Sequence, residues 1–132
     1  MLGGGNPVSS SNPAGTGGSI NYVGNHAYVA SGQVSVDNNV ATLADFVTGN
    51  AYVVGEAMFA MGNAGGDDYE YTVLFDGQVV DQFIVNGGAN APDRNARPLL
   101  LPAFTRVQLQ AQNVTDTSAA DHSVFFVGRV YS

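Results

Sequence analysis

The sequence predicts an all-β protein, an antiparallel β-sandwich of about eight strands with an extended N-terminal arm. Short stretches rich in Val, Thr, Tyr and Phe alternate between apolar and polar residues, as half-buried strands do. Gly and Asn interrupt these stretches every ~8–12 residues, a spacing typical of sandwiches and barrels. No segment keeps the 3.6-residue period of a helix for long. Since most eight-stranded antiparallel sandwiches are jelly rolls, the jelly roll is the predicted architecture.

The clearest predicted element is the hairpin YEYTVLFDGQVVDQFIV. Alternate residues from Tyr69 to Phe75 are expected to face one side of the sheet. Asp76-Gly77 fits a two-residue type I′ turn, because both residue types tolerate a positive φ. Gln78–Val85 then returns as the second strand.

Further strands are predicted along the rest of the chain, at Ile20–Val23, Ala27–Ala30, Gln33–Val36, Val40–Phe46, Asn50–Met61, Thr105–Asn113 and His122–Tyr131. Alternate residues between Val107 and Ala111 are expected to face inward. Gly55 is expected to mark a bulge or a bend. Gly62–Asp68 and Asn86–Pro98 are predicted to be loops, because Gly, Asn and Pro dominate them.

The first 18 residues form a distinct segment, and the folded domain is expected to span residues 19–132. The segment contains six Gly, two Pro and no charged residue. Ordering its backbone costs about 1–2 kcal/mol per residue, which so few apolar side chains cannot offset on their own domain. We therefore expect a neighbouring protein to hold the arm through backbone hydrogen bonds.

The residues expected to bind a partner lie in the arm and in the predicted Asn86–Pro98 loop: Leu2, Gly3, Gly4, Gly5, Asn6, Pro7, Val8, Pro13, Arg94 and Arg97. The two arginines are included because the guanidinium fork suits the carboxylates of a neighbour. Their simple solvation by water is the alternative interpretation.

The charge content excludes several classes of partner. Only 11% of the residues are charged, lysine is absent and the net charge is −7. Nucleic acids and anionic membranes require a basic surface, so neither is an expected partner. Low charge with 45% hydrophobic residues indicates that much of the surface faces other protein, with an acidic soluble monomer as the alternative. The absence of Cys rules out disulfides and thiolate metal sites, and a signal peptide is not apparent.

No arrangement of residues predicts catalysis, a cofactor or a metal site. His26 and His122 share no ligand spacing and are interpreted as partly exposed residues at strand ends. Gly65-Gly66-Asp67-Asp68 with Glu70 contains Ca²⁺-type ligands but matches no calcium-loop pattern, so a solvated loop is favoured. The chain also lacks a Gly-x-Ser-x-Gly elbow and a phosphate-binding loop. The sequence therefore predicts a protein that is not an enzyme.

Three stretches carry a resemblance to a known group of proteins: INYVGNHAYVASGQVSV, PLLLPAFTRVQLQAQNV and HSVFFVGRVYS. They resemble strands of small all-β virion proteins of tailed phages, especially marine ones. The resemblance covers residues 20–132 and consists of strand patterns rather than catalytic motifs. It implies a jelly-roll subunit on the capsid surface that decorates or cements the particle. It also implies the major capsid protein or another virion protein as partner, and self-association as a homotrimer.

Two other functions are compatible with the sequence. A carbohydrate-binding module, or the receptor-binding tip of a viral fibre, would stack sugars on the six Tyr side chains, although Trp is absent. An enzyme of the cupin type is disfavoured, because its metal site needs two or three His close together.

Overall fold

The computed structural model describes residues 20–61, 67–86 and 94–131, in which ten β-strands are found. These strands are β1 (Asn21–Val23), β2 (His26–Ala30), β3 (Val34–Val36), β4 (Ala41–Val47), β5 (Tyr52–Met61), β6 (Asp68–Phe75), β7 (Gln78–Asn86), β8 (Arg94–Leu101), β9 (Arg106–Asn113) and β10 (Ala120–Tyr131). One sheet has four strands in the order β4-β9-β6-β7. The other has six, in the order β1-β2-β10-β5-β8, with β3 also paired to β10. All pairings are antiparallel.

The connectivity is that of a jelly roll, as the sequence predicts. Strand β2 pairs with Phe125–Arg129 and β3 with Ala120–His122 of β10, so β2 and β3 act as one interrupted strand. Apart from the short β1, the strands then form four nested pairs: β2/β3 with β10, β4 with β9, β5 with β8, and β6 with β7. Except for the hairpin of β6 and β7, which lies within one sheet, successive strands of these pairs alternate between the two sheets. This is the jelly-roll arrangement.

The hairpin at the centre of this nesting matches its prediction closely. Asp76 and Gly77 have φ values of 51° and 84°, as a type I′ turn requires. Tyr69, Tyr71 and Val73 are buried in the core. The pairing of β6 with β7 shifts register between Val73 and Leu74, which the sequence alternation does not indicate.

The prediction of a loop at Asn86–Pro98 is wrong for its last five residues, which begin strand β8. Residues 94–98 belong to this strand, and Pro98 lies opposite Glu56 of β5. Strand β8 forms an edge of its sheet, where a proline is tolerated because the outer side of the strand needs no hydrogen-bond donor.

Gly55 is neither a bulge nor a bend. Strand β5 keeps a continuous register through Gly55, which lies opposite Gly128 of β10. A Cβ at Gly55 would overlap the carbonyl oxygen of Val127, and one at Gly128 would lie 2.6 Å from Cγ1 of Val53. Two glycines are therefore needed because the two central strands approach each other closely.

The core fills the space between the sheets with alternating residues from both. It is a single cluster: Ala27, Val29, Val36, Leu43, Ala44, Phe46, Val53, Ala57, Phe59, Tyr69, Tyr71, Val73, Val85, Leu101, Val107, Leu109, Ala111, Ala120, Val124 and Phe126. The predicted inward positions of β9 are all in this cluster. The ring of Phe59 lies 4.9 Å from that of Tyr71 and 5.6 Å from that of Phe83. Because Phe59 belongs to the six-stranded sheet and the other two to the four-stranded sheet, these contacts join the two sheets.

Candidate interaction surfaces

The outer face of the six-stranded sheet is unusually apolar. We call this surface the apolar face; its apolar members are Tyr28, Tyr52, Val54, Met58, Ala60, Ala96, Pro98, Leu100, Phe125, Val127 and Tyr131. Each alternates along its strand with residues that face the core. Leu100 is 52% exposed and Phe125 is 40% exposed. Contiguous exposed surface of this kind marks sites of contact with other molecules.

The outer face of the four-stranded sheet has a different composition. We call it the polar face; its polar and charged members are Thr42, Asp45, Glu70, Thr72, Gln82, Arg106, Gln108, Gln110 and Gln112. It also contains scattered apolar residues, among them Ile84, which is 56% exposed. Arg106 forms a bidentate ion pair with Asp45, at 2.7 and 3.0 Å. An antiparallel sandwich commonly exposes such a face to water. The apolar face is therefore the candidate surface for contact with another molecule.

Aromatic side chains lie across the apolar face. Tyr52 and Tyr131 are directly opposite each other on β5 and β10 and stack, with centroids 5.5 Å apart and an interplanar angle of 18°. Tyr28 lies 6.5 Å from the ring of Phe125. A shallow groove of about 380 Å³ runs beside Phe125 and is lined by Met58, Ala60 and Ser123.

Two opposite charges lie near the middle of the apolar face. Glu56 on β5 is opposite Val127, and Arg129 on β10 is opposite Val54. Glu56 and Arg129 are thus diagonal neighbours on adjacent central strands. The described part of the chain provides neither of them with an ion-pair partner.

Phe104 is presented at one end of the sandwich, between β8 and β9. It is 73% exposed, and its φ of 54° is a left-handed conformation that bulky residues rarely adopt. Thr48 holds the loop: its hydroxyl donates to the carbonyl of Pro102 at 2.6 Å and accepts from the Thr105 N–H at 2.9 Å. The Phe104 N–H also donates to the carbonyl of Gly49, at 2.9 Å. No sequence pattern indicates this constrained, exposed aromatic residue.

His122 is buried, contrary to the expectation of a partly exposed residue at a strand end. Strand β10 begins two residues earlier, at Ala120, so His122 faces the core and is 1% exposed. Its ring lies 4.3 Å from that of Tyr69 and 5.8 Å from that of Tyr71. Nδ1 donates to the carbonyl of Ala120 at 3.1 Å, which leaves Nε2 and the Tyr71 hydroxyl without partners in the described region. Burial lowers the pKa of His122 and raises the pKa of Tyr71.

A buried polar cluster lies beside His122. The side-chain amide of Asn113 donates to Asp67 at 3.0 Å, to the carbonyl of Ser118 at 2.9 Å and to the Tyr69 hydroxyl at 3.4 Å. Asp67, one of the Ca²⁺-type residues of the sequence, instead accepts a hydrogen bond that anchors the connection between β9 and β10. Among the described residues, no group of three or more His, Cys, Asp or Glu side chains is placed to bind a metal ion.

The structure gives Arg97 a partner within its own chain. Its guanidinium forms a bidentate ion pair with Asp81 at 2.8 and 2.9 Å and lies 4.5 Å from the centre of the Phe83 ring. This pair joins β8 of one sheet to β7 of the other. Arg94 begins β8. The other residues predicted to bind a partner lie in the arm, outside the described residues, and their role stays a prediction.

The sequence contained a signal for the apolar face. In β5 and β10 both the inward and the outward positions are largely apolar, as in VFFV at residues 124–127. A strand with one solvated face would alternate instead. None of the described segments forms a helix with the length and hydrophobicity needed to cross a membrane.

Comparison with solved structures finds distant similarity, at TM-scores below 0.5. No protein-family model and no curated protein matches the sequence. VP2 of infectious bursal disease virus, in its subviral particle, aligns with a TM-score of 0.48 and 13% identity, over 80% of this chain and 32% of VP2. The structure of the Gx strain of that virus gives 0.47 and 15% identity, over 80% and 32% of the two chains. Its T=1 particles give 0.46 and 16%, over 80% and 31%. This chain therefore spans about a third of the length of these proteins.

Proposed function

We propose that this chain is a structural protein of a virion, a decoration or cement subunit that binds the major capsid protein or another virion protein at the capsid surface. The observation that carries the proposal is the apolar face. Apolar area removed from water contributes about 25 cal/mol per Å², so a neighbouring subunit that covers this face would stabilise an assembly. The polar face offers no comparable gain and suits the side exposed to water.

The composition supports the same role. Only 11% of the residues are charged, so few charges need to lose their hydration when subunits pack together. The jelly roll supplies a rigid scaffold, and the proposal assigns no catalytic residue, cofactor or metal to it.

In this proposal the arm, residues 1–18, makes the contact with a neighbouring virion protein. Strand β1 follows the arm and forms an edge of the six-stranded sheet. Eighteen extended residues can span roughly 60 Å, which is enough to reach across an adjacent subunit. Arg94, at the start of β8, is a second proposed contact for carboxylates of the partner. The phage resemblance implies a homotrimer, which is the alternative to the two-fold pairing inferred below, and a mass measurement in solution distinguishes the two.

Binding to capsids tests the virion role. Capsids of the encoding virus, prepared without this protein, are incubated with the purified chain and sedimented. We expect the wild-type chain to co-sediment at a fixed stoichiometry. Val54→Asp on the apolar face should lower the bound fraction at least tenfold, because a buried unpaired carboxylate opposes contact.

Ile84→Asp on the polar face is the matched control, since Ile84 is also an exposed β-branched residue in a strand. It should bind capsids as the wild type does. If the wild-type chain remained in the supernatant, the proposed role would be wrong. Equal binding by both variants would instead show that the apolar face does not contribute to capsid binding.

Carbohydrate binding is the second candidate, and a specific observation favours it. Three of the six tyrosines, Tyr28, Tyr52 and Tyr131, lie on the apolar face, and two of them stack. Aromatic rings on a flat sheet can pack against the apolar faces of sugar rings. A glycan array with the wild-type chain and the Tyr52→Ala variant tests this function: selective binding that the variant loses would support it, and no binding would exclude it for the glycans tested.

A further inference from the structure

We infer that the neighbour covering the apolar face is a second copy of this chain. The two copies are related by a two-fold axis that lies in the plane of that face and passes through its centre. The inference rests on the proposed function only in naming the partner of the same surface. The size of the face and the charges on it favour this partner.

The size of the face matches what a stable pairing needs. Strand order places five strands side by side, and β5 contributes ten residues. With strands about 4.8 Å apart and a rise of about 3.4 Å per residue, the face measures at most roughly 24 by 34 Å, or about 800 Å². Specific protein interfaces bury about 800 Å² on each partner, so one copy can cover the face of another almost completely.

The charges decide which partner fits. Any protein that covers the face must bury Glu56 and Arg129, and a buried charge without a partner is strongly unfavourable. Because no ion pair joins Glu56 to Arg129 in the structure, the covering protein that fits best places a cation over Glu56 and an anion over Arg129, at the same separation. A second copy meets this requirement by symmetry, because it carries the same two charges at the same separation.

The geometry of the pairing follows directly. A two-fold axis that lies in the plane of the face and bisects the line between Glu56 and Arg129 brings each residue onto the opposite charge of the other copy. Two ion pairs then form near the centre, since β5 and β10 are central strands of the sheet. Val54 and Val127 lie directly beside them, which keeps water out and sets the register of the two copies.

Charge reversal tests the pairing on the isolated protein, without capsids. Sedimentation equilibrium over a range of concentrations should show a monomer–dimer equilibrium for the wild type. Glu56→Arg alone and Arg129→Glu alone should each raise the dimer dissociation constant at least tenfold, because like charges then meet across the axis. The doubly reversed variant should return to within about threefold of the wild type, because opposite charges meet again.

Glu70→Arg on the polar face is the control for a change of net charge and should leave the dissociation constant unchanged. Circular dichroism confirms that each variant is folded. A wild type that is monomeric or trimeric, or a double variant weaker than both single ones, would overturn the inference. A monomer that still binds capsids would overturn the pairing and leave the virion role intact, whereas a dimer that does not bind capsids would do the reverse.

Discussion

At the scale of single residues, the pair Gly55 and Gly128 decides whether the central strands can form. We expect Gly55→Ala to destabilise the fold by about 2–4 kcal/mol. The new Cβ would overlap the main-chain carbonyl oxygen of Val127, and a backbone atom cannot rotate away as a side chain can. Gly49→Ala is the matched control, because its Cβ would lie 3.5 Å from the Tyr22 hydroxyl, an ordinary contact. Urea unfolding measures both, and equal midpoints for the two variants would contradict the close approach.

Also at the residue scale, His122 should make stability depend on pH. Burial lowers its pKa below the ordinary value of 6.5, so the folded chain keeps the imidazole neutral where the unfolded chain takes up a proton. Stability is therefore complete above about pH 6.5 and falls as the pH drops below it, by up to about 1.4 kcal/mol per pH unit. Nearby Asp121 opposes the shift but does not reverse it.

Urea midpoints at pH 7.5 and pH 5.5 check this prediction. The wild type should lose stability between the two values, whereas His122→Phe should lose much less. His26→Gln, at an exposed position, should behave as the wild type does. The pKa values of Asp45 and Asp81 are lowered by hydrogen bonds from their arginine partners, so these carboxylates titrate well below this window. The same slope in the wild type and in His122→Phe would exclude His122 as the cause.

At the scale of secondary-structure elements, the two bidentate arginine pairs should differ in strength. Arg97 and Asp81 connect the edge strands β8 and β7 of different sheets, and the guanidinium also covers Phe83. Arg106 and Asp45 connect neighbouring strands of one sheet and are more exposed. Arg97→Lys should therefore cost about 1 kcal/mol, because lysine loses the fork and the ring contact. Arg106→Lys should cost less than Arg97→Lys, because an exposed ion pair contributes little to stability, and thermal unfolding of the two variants compares them. A smaller loss for Arg97→Lys than for Arg106→Lys would contradict this assignment.

The elements also show what the sequence could predict. Strands with clear alternation, such as β6 and β9, were placed with their inward residues correct, because one face of each is buried and the other is solvated. Strand β8 was missed because Pro98 and the polar residues before it are typical of a loop, and only its edge position makes a strand possible there. The burial of His122 was missed for a related reason: its orientation depends on where β10 begins, and sequence patterns define strand ends poorly.

At the scale of the whole molecule, the two faces and the arm have separate roles if both proposals hold. The apolar face joins two copies, and the resulting dimer carries two arms. Two linked arms bind a particle more tightly than one, because attachment of the first raises the effective concentration of the second. Capsid binding should then depend directly on the arm. It should depend on the apolar face indirectly, because pairing through that face decides whether one arm or two attach to the particle.

Deletion of residues 1–18 separates these contributions. The truncated chain should keep the stability and the dimer dissociation constant of the full chain, because all the strands described, both faces and the core lie within residues 20–131. Its affinity for capsids should fall at least a hundredfold, since it lacks the segment proposed to contact the virion protein. Glu56→Arg with the arm intact should retain part of the affinity, because one arm still binds. Co-sedimentation with capsids at increasing protein concentration measures the capsid affinity of the full chain, the truncated chain and the Glu56→Arg variant. A truncated chain that binds as tightly as the full one would show that the arm does not dock on the particle, and one that fails to fold would place the arm within the domain.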